Sequence, residues 1–314
     1  LDCSYGFRPG RSAHQALDAL WRGLMAMGGG WIIDLDIQSF FDDVDWGHLR
    51  SFLDRRVCDG VIRRAIGKWL NAGVMESGEV SHPDRGTPQG GVISPVLSNL
   101  YLHEVLDVWF EHEVKPRLLG RAFEIRFADD AALVFEREED ARRVLAVLSK
   151  RFAKYGLHLH PEKTRLVDFR SPPRAGWGGS QRERSFGLLG FTHYWGRSRK
   201  GRWVVQRKTA KDRFTRALRE VGRWCRAHRH WPVAAQQAAL HRKLKGHYAY
   251  YGITGNGRAL ACFLYEVRHL WRKWLHRRSW RGRMTWEKFG RLVARYPLPQ
   301  PRVVHSIYRR AATL

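Results

Sequence analysis

Arg121-Ala-Phe-Glu-Ile-Arg126, Phe127-Ala-Asp-Asp130 and Ala131-Ala-Leu-Val-Phe135 form the stretch on which the fold turns. Two strand-like runs, 121–126 and 131–135, flank an Ala-Asp-Asp-Ala turn, which predicts a hairpin with two carboxylates at its tip. A second stretch, Trp31-Ile-Ile-Asp-Leu-Asp-Ile37, alternates along a strand. Trp31, Ile33, Leu35 and Ile37 share one face, and Ile32, Asp34 and Asp36 share the other. Strand rise separates Asp34 from Asp36 by about 6–7 Å. Taken alone, either motif reads as turn chemistry or a solvated edge, because Asp is a common turn former. Taken together, carboxylates at the ends of different core strands suit a pair of divalent cations about 3.5–4 Å apart, one activating a hydroxyl and one steadying a leaving phosphate. Mg²⁺ fits such a site because it takes oxygen ligands and shares them with substrate phosphates.

Around these strands the pattern is mixed. Tyr5-Gly-Phe-Arg-Pro-Gly-Arg11 is a Gly/Pro loop, and Ser12-Ala-His-Gln15 reads as a capping box that opens a helix to about Met27. Short helices are expected near His48 to Arg56 and Val61 to Asn71. Arg85-Gly-Thr-Pro-Gln-Gly-Gly91 is a second loop. Ser94-Pro95 then gives an N-cap and a first-turn proline for a helix to about Val114. Glu138 to Tyr155 is an amphipathic helix stopped by Gly156, and short strands follow at Leu157 to His160 and Arg165 to Phe169. Ser185 to Thr192 reads as a compact strand or turn. From Lys211 onward the pattern is helical, with breaks at 230–232, 252–257, 280–284 and 296–301. The fold class expected is α+β followed by all-α, with domains at 1–196 and 197–314.

Charge divides the chain the same way. Up to Gly196 there are 26 basic and 26 acidic residues; from Arg197 onward there are 30 basic and 4 acidic, so the second half carries the whole net charge of +26. Such an excess repels itself unless a polyanion neutralises it, and phosphodiester backbones are the usual partner. The 44% hydrophobic content, with 14 Trp and 15 Phe, excludes a wholly disordered chain. No apolar run approaches the roughly 20 residues of a membrane span, so no membrane partner is expected. Cys3, Cys58, Cys225 and Cys262 are solitary, which argues against a zinc ribbon or cysteine-based endonuclease module and fits a reducing cytoplasm. The chain begins with Leu1 in what reads as the middle of a domain, and an N-terminal piece is expected to precede it.

The motifs together resemble a known family. Asp34-Leu-Asp-Ile-Gln-Ser-Phe-Phe-Asp42, Gly86-Thr-Pro-Gln-Gly-Gly-Val-Ile-Ser-Pro95 and Phe127-Ala-Asp-Asp130 look like successive blocks of the reverse transcriptases encoded by group II introns. Tyr5 to Ser12, His160-Pro-Glu-Lys-Thr164, Leu189-Gly-Phe191 and Leu240-His-Arg-Lys-Leu-Lys-Gly-His-Tyr-Ala-Tyr-Tyr251 keep the family's order. The last block is similar to the maturase, or thumb, domain. The resemblance implies a right-hand polymerase palm with partial fingers, then a helical thumb. It implies RNA-directed DNA polymerase activity with two Mg²⁺ ions, and deoxynucleoside triphosphates, intron RNA and a DNA target or primer as partners. No endonuclease-like Cys/His cluster follows the thumb block, so target opening is expected to rely on reverse splicing and a primer made elsewhere.

By the same resemblance the catalytic and metal-holding triad falls on Asp36, Asp129 and Asp130, with Asp34 a structural acid. Phe41 matches the bulky residue under the incoming sugar, and Gln89 the residue that approaches the incoming nucleotide. Arg8 and Arg11 are candidates for the triphosphate, with solvated loop cations as the alternative. Lys163 either gives a proton to the leaving pyrophosphate or forms a plain salt bridge. One departure is visible: Phe127 stands where most group II enzymes have Tyr, so the ring stays and the hydroxyl goes.

In the basic half, Arg242, Lys243, Lys245, Arg272, Lys273, Arg277 and Arg278 are the expected RNA contacts. The interleaved Trp271 and Trp274 read either as base-stacking rings or as a helix's apolar face. Two further functions stay open at this level. One is a non-enzymatic RNA-binding splicing cofactor on a decayed scaffold; the other is a domesticated reverse transcriptase in repair or phage defence.

Overall fold

The computed structural model describes residues 1–71, 74–76, 79–81, 85–87, 91, 93–172, 184–279 and 283–306. The first helix, α1 (Ala13–Met27), is capped by the Ser12 side chain, which accepts the Gln15 N–H at 3.3 Å. The return bond of the expected box is missing, since Gln15 Oε1 has no partner. Ala16, Leu17, Leu20 and Leu24 are the buried face, at the spacing the sequence predicts.

Next come β1 (Trp31–Leu35), β2 (Ile37–Gln38), α2 (Phe40–Asp43), α3 (Trp46–Asp54), α4 (Gly60–Leu70) and the hairpin β3 (Val74–Glu76) and β4 (Glu79–Ser81). The next helix, α5 (Ser94–Leu102), starts one residue earlier than the Ser94 N-cap reading predicts: Ile93 is the flanking residue and Pro95 sits in the first turn. The expected continuation to Val114 is not α-helical throughout. Two π-helical turns, His103–Asp107 and Phe110–Val114, widen it.

The hairpin β5 (Ala122–Phe127) and β6 (Asp130–Phe135) follows, then α6 (Glu138–Lys154), β7 (His158–Leu159) and β8 (Arg165–Asp168). Strands β5, β6, β1 and β8 form one four-stranded sheet in that order, and β2 pairs with β7. Every pairing in the larger sheet is antiparallel. One face of β1 and β6 (Ile33, Leu35, Ala131, Leu133, Phe135) enters a core with Leu97, Tyr101, Leu106, Phe110, Val144, Leu148 and Phe152 from the helices.

The chain continues through β9 (Phe186–Leu188), β10 (Phe191–Arg197) and β11 (Trp203–Thr209), a second sheet ordered β11-β10-β9. Four helices close it: α7 (Lys211–Ala227), α8 (Val233–Tyr251), α9 (Gly257–His276) and α10 (Trp286–Arg295). They bury a separate core of Val221, Leu240, Leu244, Phe263, Val267, Trp271, Leu275 and Phe289. By contacts the chain forms two compact units, one of residues 1–189 with 194–205 and one of 190–193 with 206–314. The division runs through β10 and β11. Among the described residues no helix is long and apolar enough to cross a membrane.

Candidate active site

Strand register brings the acidic stretches together. Leu35 on β1 faces Ala131 on β6 as the last pair of that antiparallel ladder, and Asp36 directly follows it on one side while Asp130 directly precedes it on the other. Asp129 is the second residue of the two-residue turn between Phe127 and Asp130. Burial raises the Asp129 carboxyl above the usual range; a hydrogen bond from its own backbone opposes this and the nearby Asp36 charge adds to it. Two carboxylates that repel in this way form a donor set that a dication relieves, and their oxygen chemistry suits Mg²⁺.

Asp36 is held from the other side. Its carbonyl accepts the His160 N–H at 2.9 Å and the Thr164 hydroxyl at 3.1 Å. The turn between β7 and β8 therefore wraps the backbone of Asp36 and sets Lys163 Nζ 3.5 Å from Asp36 Oδ1. Asp34 goes elsewhere: it lies opposite Arg165 on β8 and pairs with it at 3.3 Å. Burial raises the Asp34 carboxyl and the Arg165 charge opposes that rise. Asp130 Oδ2 accepts the Leu189 N–H at 2.7 Å, which ties the Leu-Gly-Phe block to the hairpin.

Phe41 is half-buried against the core, and its ring meets Phe40 at 5.3 Å. The Gly86 block closes on it, with the Thr87 N–H donating to the Phe41 carbonyl at 2.6 Å and the Gly86 N–H to Val44 at 2.7 Å. Gly86 has φ +84°, and a Cβ there would sit 2.7 Å from the Asp42 carbonyl oxygen, so glycine is required twice over. Gln89 lies outside the described residues. Arg8 and Arg11 are engaged within their own loop. Arg8 donates to the carbonyls of Leu1 (2.6 Å) and Ser4 (2.8 Å), while Arg11 pairs with Asp2 and lies over the Tyr5 ring.

The sequence reading missed the group beneath the turn. Arg126, 1% exposed, donates to Asp107 Oδ1 (2.6 Å) and Oδ2 (2.7 Å), Asn99 Oδ1 (3.0 Å), the Ala128 carbonyl (2.9 Å) and Ser4 Oγ (3.0 Å). The Tyr5 loop joins the same edge: Tyr5 N–H donates to the Arg126 carbonyl, and Asn99 Nδ2 to the Gly6 carbonyl. A Cβ on Gly6 would fall 2.4 Å from the Ala128 nitrogen, which is why the loop carries glycine there. A visible cue existed: Glu124 and Arg126 alternate on one face of a strand too apolar to be a solvated edge.

Cys3, Asp107 and Glu124 have ligand atoms within 4.8 Å of one another. They make a poor cation site, because a cation is already present. Burial pulls the Asp107 carboxyl upward, but hydrogen bonds from His103 and Arg126 outweigh it and bring it down to about 2. Burial, with the neighbouring acids, pushes both the Cys3 thiol and the Glu124 carboxyl up.

Backbone strain falls on the same blocks. Among the described residues, the non-glycine positions in left-handed conformation are Phe7, Ser39, Ala128 and Leu189, one in each of four motif blocks. Strain of this kind costs roughly 1–3 kcal/mol per residue and persists only where the surroundings impose it.

In the helical half the expected RNA-contacting cations divide. Arg242 and Lys245 are exposed on α8. Lys243 lies 5.7 Å from the Trp224 ring, and Arg272 4.0 Å from that of Trp286. Trp274 receives Arg226, Lys273 and Arg277 at 5.9, 5.8 and 5.4 Å. Arg278 donates to the carbonyls of His230 and Trp231. Trp271 is fully buried with its indole N–H on Gln236 Oε1 at 2.9 Å, so this ring is core rather than base-stacking surface.

Comparison with known proteins places the chain in a family. Residues 2–193 match the family model for "Reverse transcriptase (RNA-dependent DNA polymerase)"; the chain belongs to this family. Several of the similar proteins carry an intron in their names. The chain is 34% identical over 160 residues to "Group II intron-encoded protein LtrA" of Lactococcus lactis subsp. cremoris, covering 48% of this chain and 26% of that protein. It is 40% identical over 104 residues to "Protein YkfC" of Escherichia coli (32% and 27%), and 38% over 109 residues to an "Uncharacterized 91 kDa protein in cob intron" of Schizosaccharomyces pombe (35% and 13%). The matched stretches thus span about a quarter or less of these relatives' lengths. The resemblance to group II intron reverse transcriptase/maturases is borne out.

Proposed function

We propose that the chain is an RNA-directed DNA polymerase that adds deoxynucleotides to a primer 3′-OH opposite an RNA template. In this reading the first unit is a palm with part of the fingers, and the helical half is the thumb/maturase domain. What supports it is the β1–β6 ladder that ends at Leu35 and Ala131, next to Asp36 and Asp130, with the Asp129 acid raised by burial first and in part by the Asp36 charge. Asp36, Asp129 and Asp130 would hold two Mg²⁺ ions, which when bound supply charge stabilisation at the attacking and departing oxygens.

The chain's own residues do the positioning. Lys163 keeps the Asp36 carboxylate oriented and adds positive charge where triphosphate would lie. Phe41, backed by the Gly86–Thr87 segment, forms a wall against which a deoxyribose fits and a 2′-hydroxyl does not. Arg8 and Arg11 would have to leave their loop partners to meet phosphates.

Retention of all three carboxylates favours the enzyme over a non-catalytic splicing cofactor. Primer extension on poly(rA)/oligo(dT), comparing wild type with Asp129→Ala, tests this. Loss of incorporation in the variant is expected; equal incorporation by both removes the polymerase. The cationic excess of the second half supports binding of intron RNA, and with it a role in splicing and in copying the intron into a DNA target.

A further inference from the structure

Arg126 spends its whole donor capacity inside the protein. A guanidinium has five N–H groups, and five bonds are made: two to Asp107 and one each to Asn99, Ser4 and Ala128. The acceptors come from four separate segments: the π-helical turn at 103–107, α5, the Tyr5 loop and the aspartate turn itself. Only the last touches the reaction centre. The carbonyl in question belongs to Ala128, which has φ +56° and directly precedes Asp129. Alanine disfavours that conformation, and a buried fixed donor on its carbonyl is what holds it there.

We propose that Arg126 is a positioning residue for polymerisation: it clamps Ala128 in the left-handed conformation that brings Asp129 to Asp36. This rests on the polymerase reading above. Lysine at 126 keeps the charge but offers three donors from one atom in place of a planar fork, so it cannot bind Asp107 twice and reach the Ala128 carbonyl as well. The clamp account has a consequence that mere core support lacks. Glycine at 128 takes positive φ without penalty, so Ala128→Gly should partly restore what Arg126→Lys loses.

The experiment compares wild type, Asp129→Asn, Arg126→Lys and Arg126→Lys/Ala128→Gly. It measures kcat and KM for dTTP on poly(rA)/oligo(dT), Mn²⁺ affinity by electron paramagnetic resonance, and Tm. For Arg126→Lys, kcat should fall on the order of 100-fold, as expected when a reacting group is misplaced by about 1 Å, with KM changed less than about twofold. Mn²⁺ binding above the Asp129→Asn background should weaken in parallel. Adding Ala128→Gly should recover roughly five- to thirtyfold of the loss without raising Tm in proportion. Wild-type kcat in Arg126→Lys, or no recovery with glycine, overturns the proposal. If wild type extends no primer, the polymerase reading fails, while Mn²⁺ affinity still decides whether the clamp exists. If Arg126→Lys does not fold, Ser4→Ala removes a single acceptor of the guanidinium: a three- to tenfold kcat loss relieved by Ala128→Gly supports the clamp, and no loss refutes it.

Discussion

Replacing Glu124 with Gln should make the protein more stable, and increasingly so as pH rises. Glu124 is 4% exposed on β5 and lies against the Asp107 carboxylate. Burial first, and the Asp107 charge second, raise its pKa well above the usual carboxylate range. In the unfolded chain it titrates near 4.3. A raised folded pKa gives stability that is fully present below the unfolded value and is lost as pH climbs toward the folded one. Over that window wild type loses about 1.4 kcal/mol per pH unit to proton release on unfolding. Glutamine has the shape of the neutral acid and no proton to release, so it escapes the loss. Asp107 keeps its His103 and Arg126 partners in both proteins. Urea denaturation from pH 5 upward should show a gap that widens with pH until the folded pKa of Glu124 is reached. A gap that stays flat would refute the raised pKa.

Other outcomes follow from single features. Ser39 is exposed, at φ +43°, with no side-chain cap, so Ser39→Gly should raise stability by about 0.5–1 kcal/mol in the same denaturation assay. Asp36→Asn removes the neighbouring charge from Asp129, whose carboxyl titration, followed by ¹³C NMR without metal, should move down toward the ordinary range. Trp271→Phe leaves Gln236 Oε1 buried without its donor and should cost about 1–3 kcal/mol of unfolding free energy. RNA affinity should fall steeply between 50 and 200 mM salt, and a nearly flat salt titration would contradict the cationic role of the second half.

The strands that carry the candidate carboxylates were legible because strand periodicity is visible in Trp31 to Ile37 and in the 121–135 hairpin. The helical tail was equally readable: the breaks at 230–232 and 252–257 fall between α7 and α8 and between α8 and α9. What escaped was of two kinds. Short elements such as β2 and α2 depend on tertiary partners rather than on a run of pattern, and the left-handed Ser39 that links them is invisible in composition. The π-helical turn that presents Asp107 to Arg126 leaves no mark in apolar spacing. The half-formed capping box at Ser12 shows the same limit in reverse: the motif was present, but the Gln15 side chain was not used.

The rings of the helical half change what its charges can do. A guanidinium laid over an indole has given up much of its rotamer freedom in advance, and ordering such a side chain at an interface otherwise costs about 0.5–1.5 kcal/mol. A phosphate arriving there would meet a cation already tethered, with the edge N–H groups unspent by the ring. Trp274 alone tethers Arg226, Lys273 and Arg277. Removing one uncharged residue would therefore unmoor three cations and loosen the grip on a polyanion while the protein's net charge stayed the same.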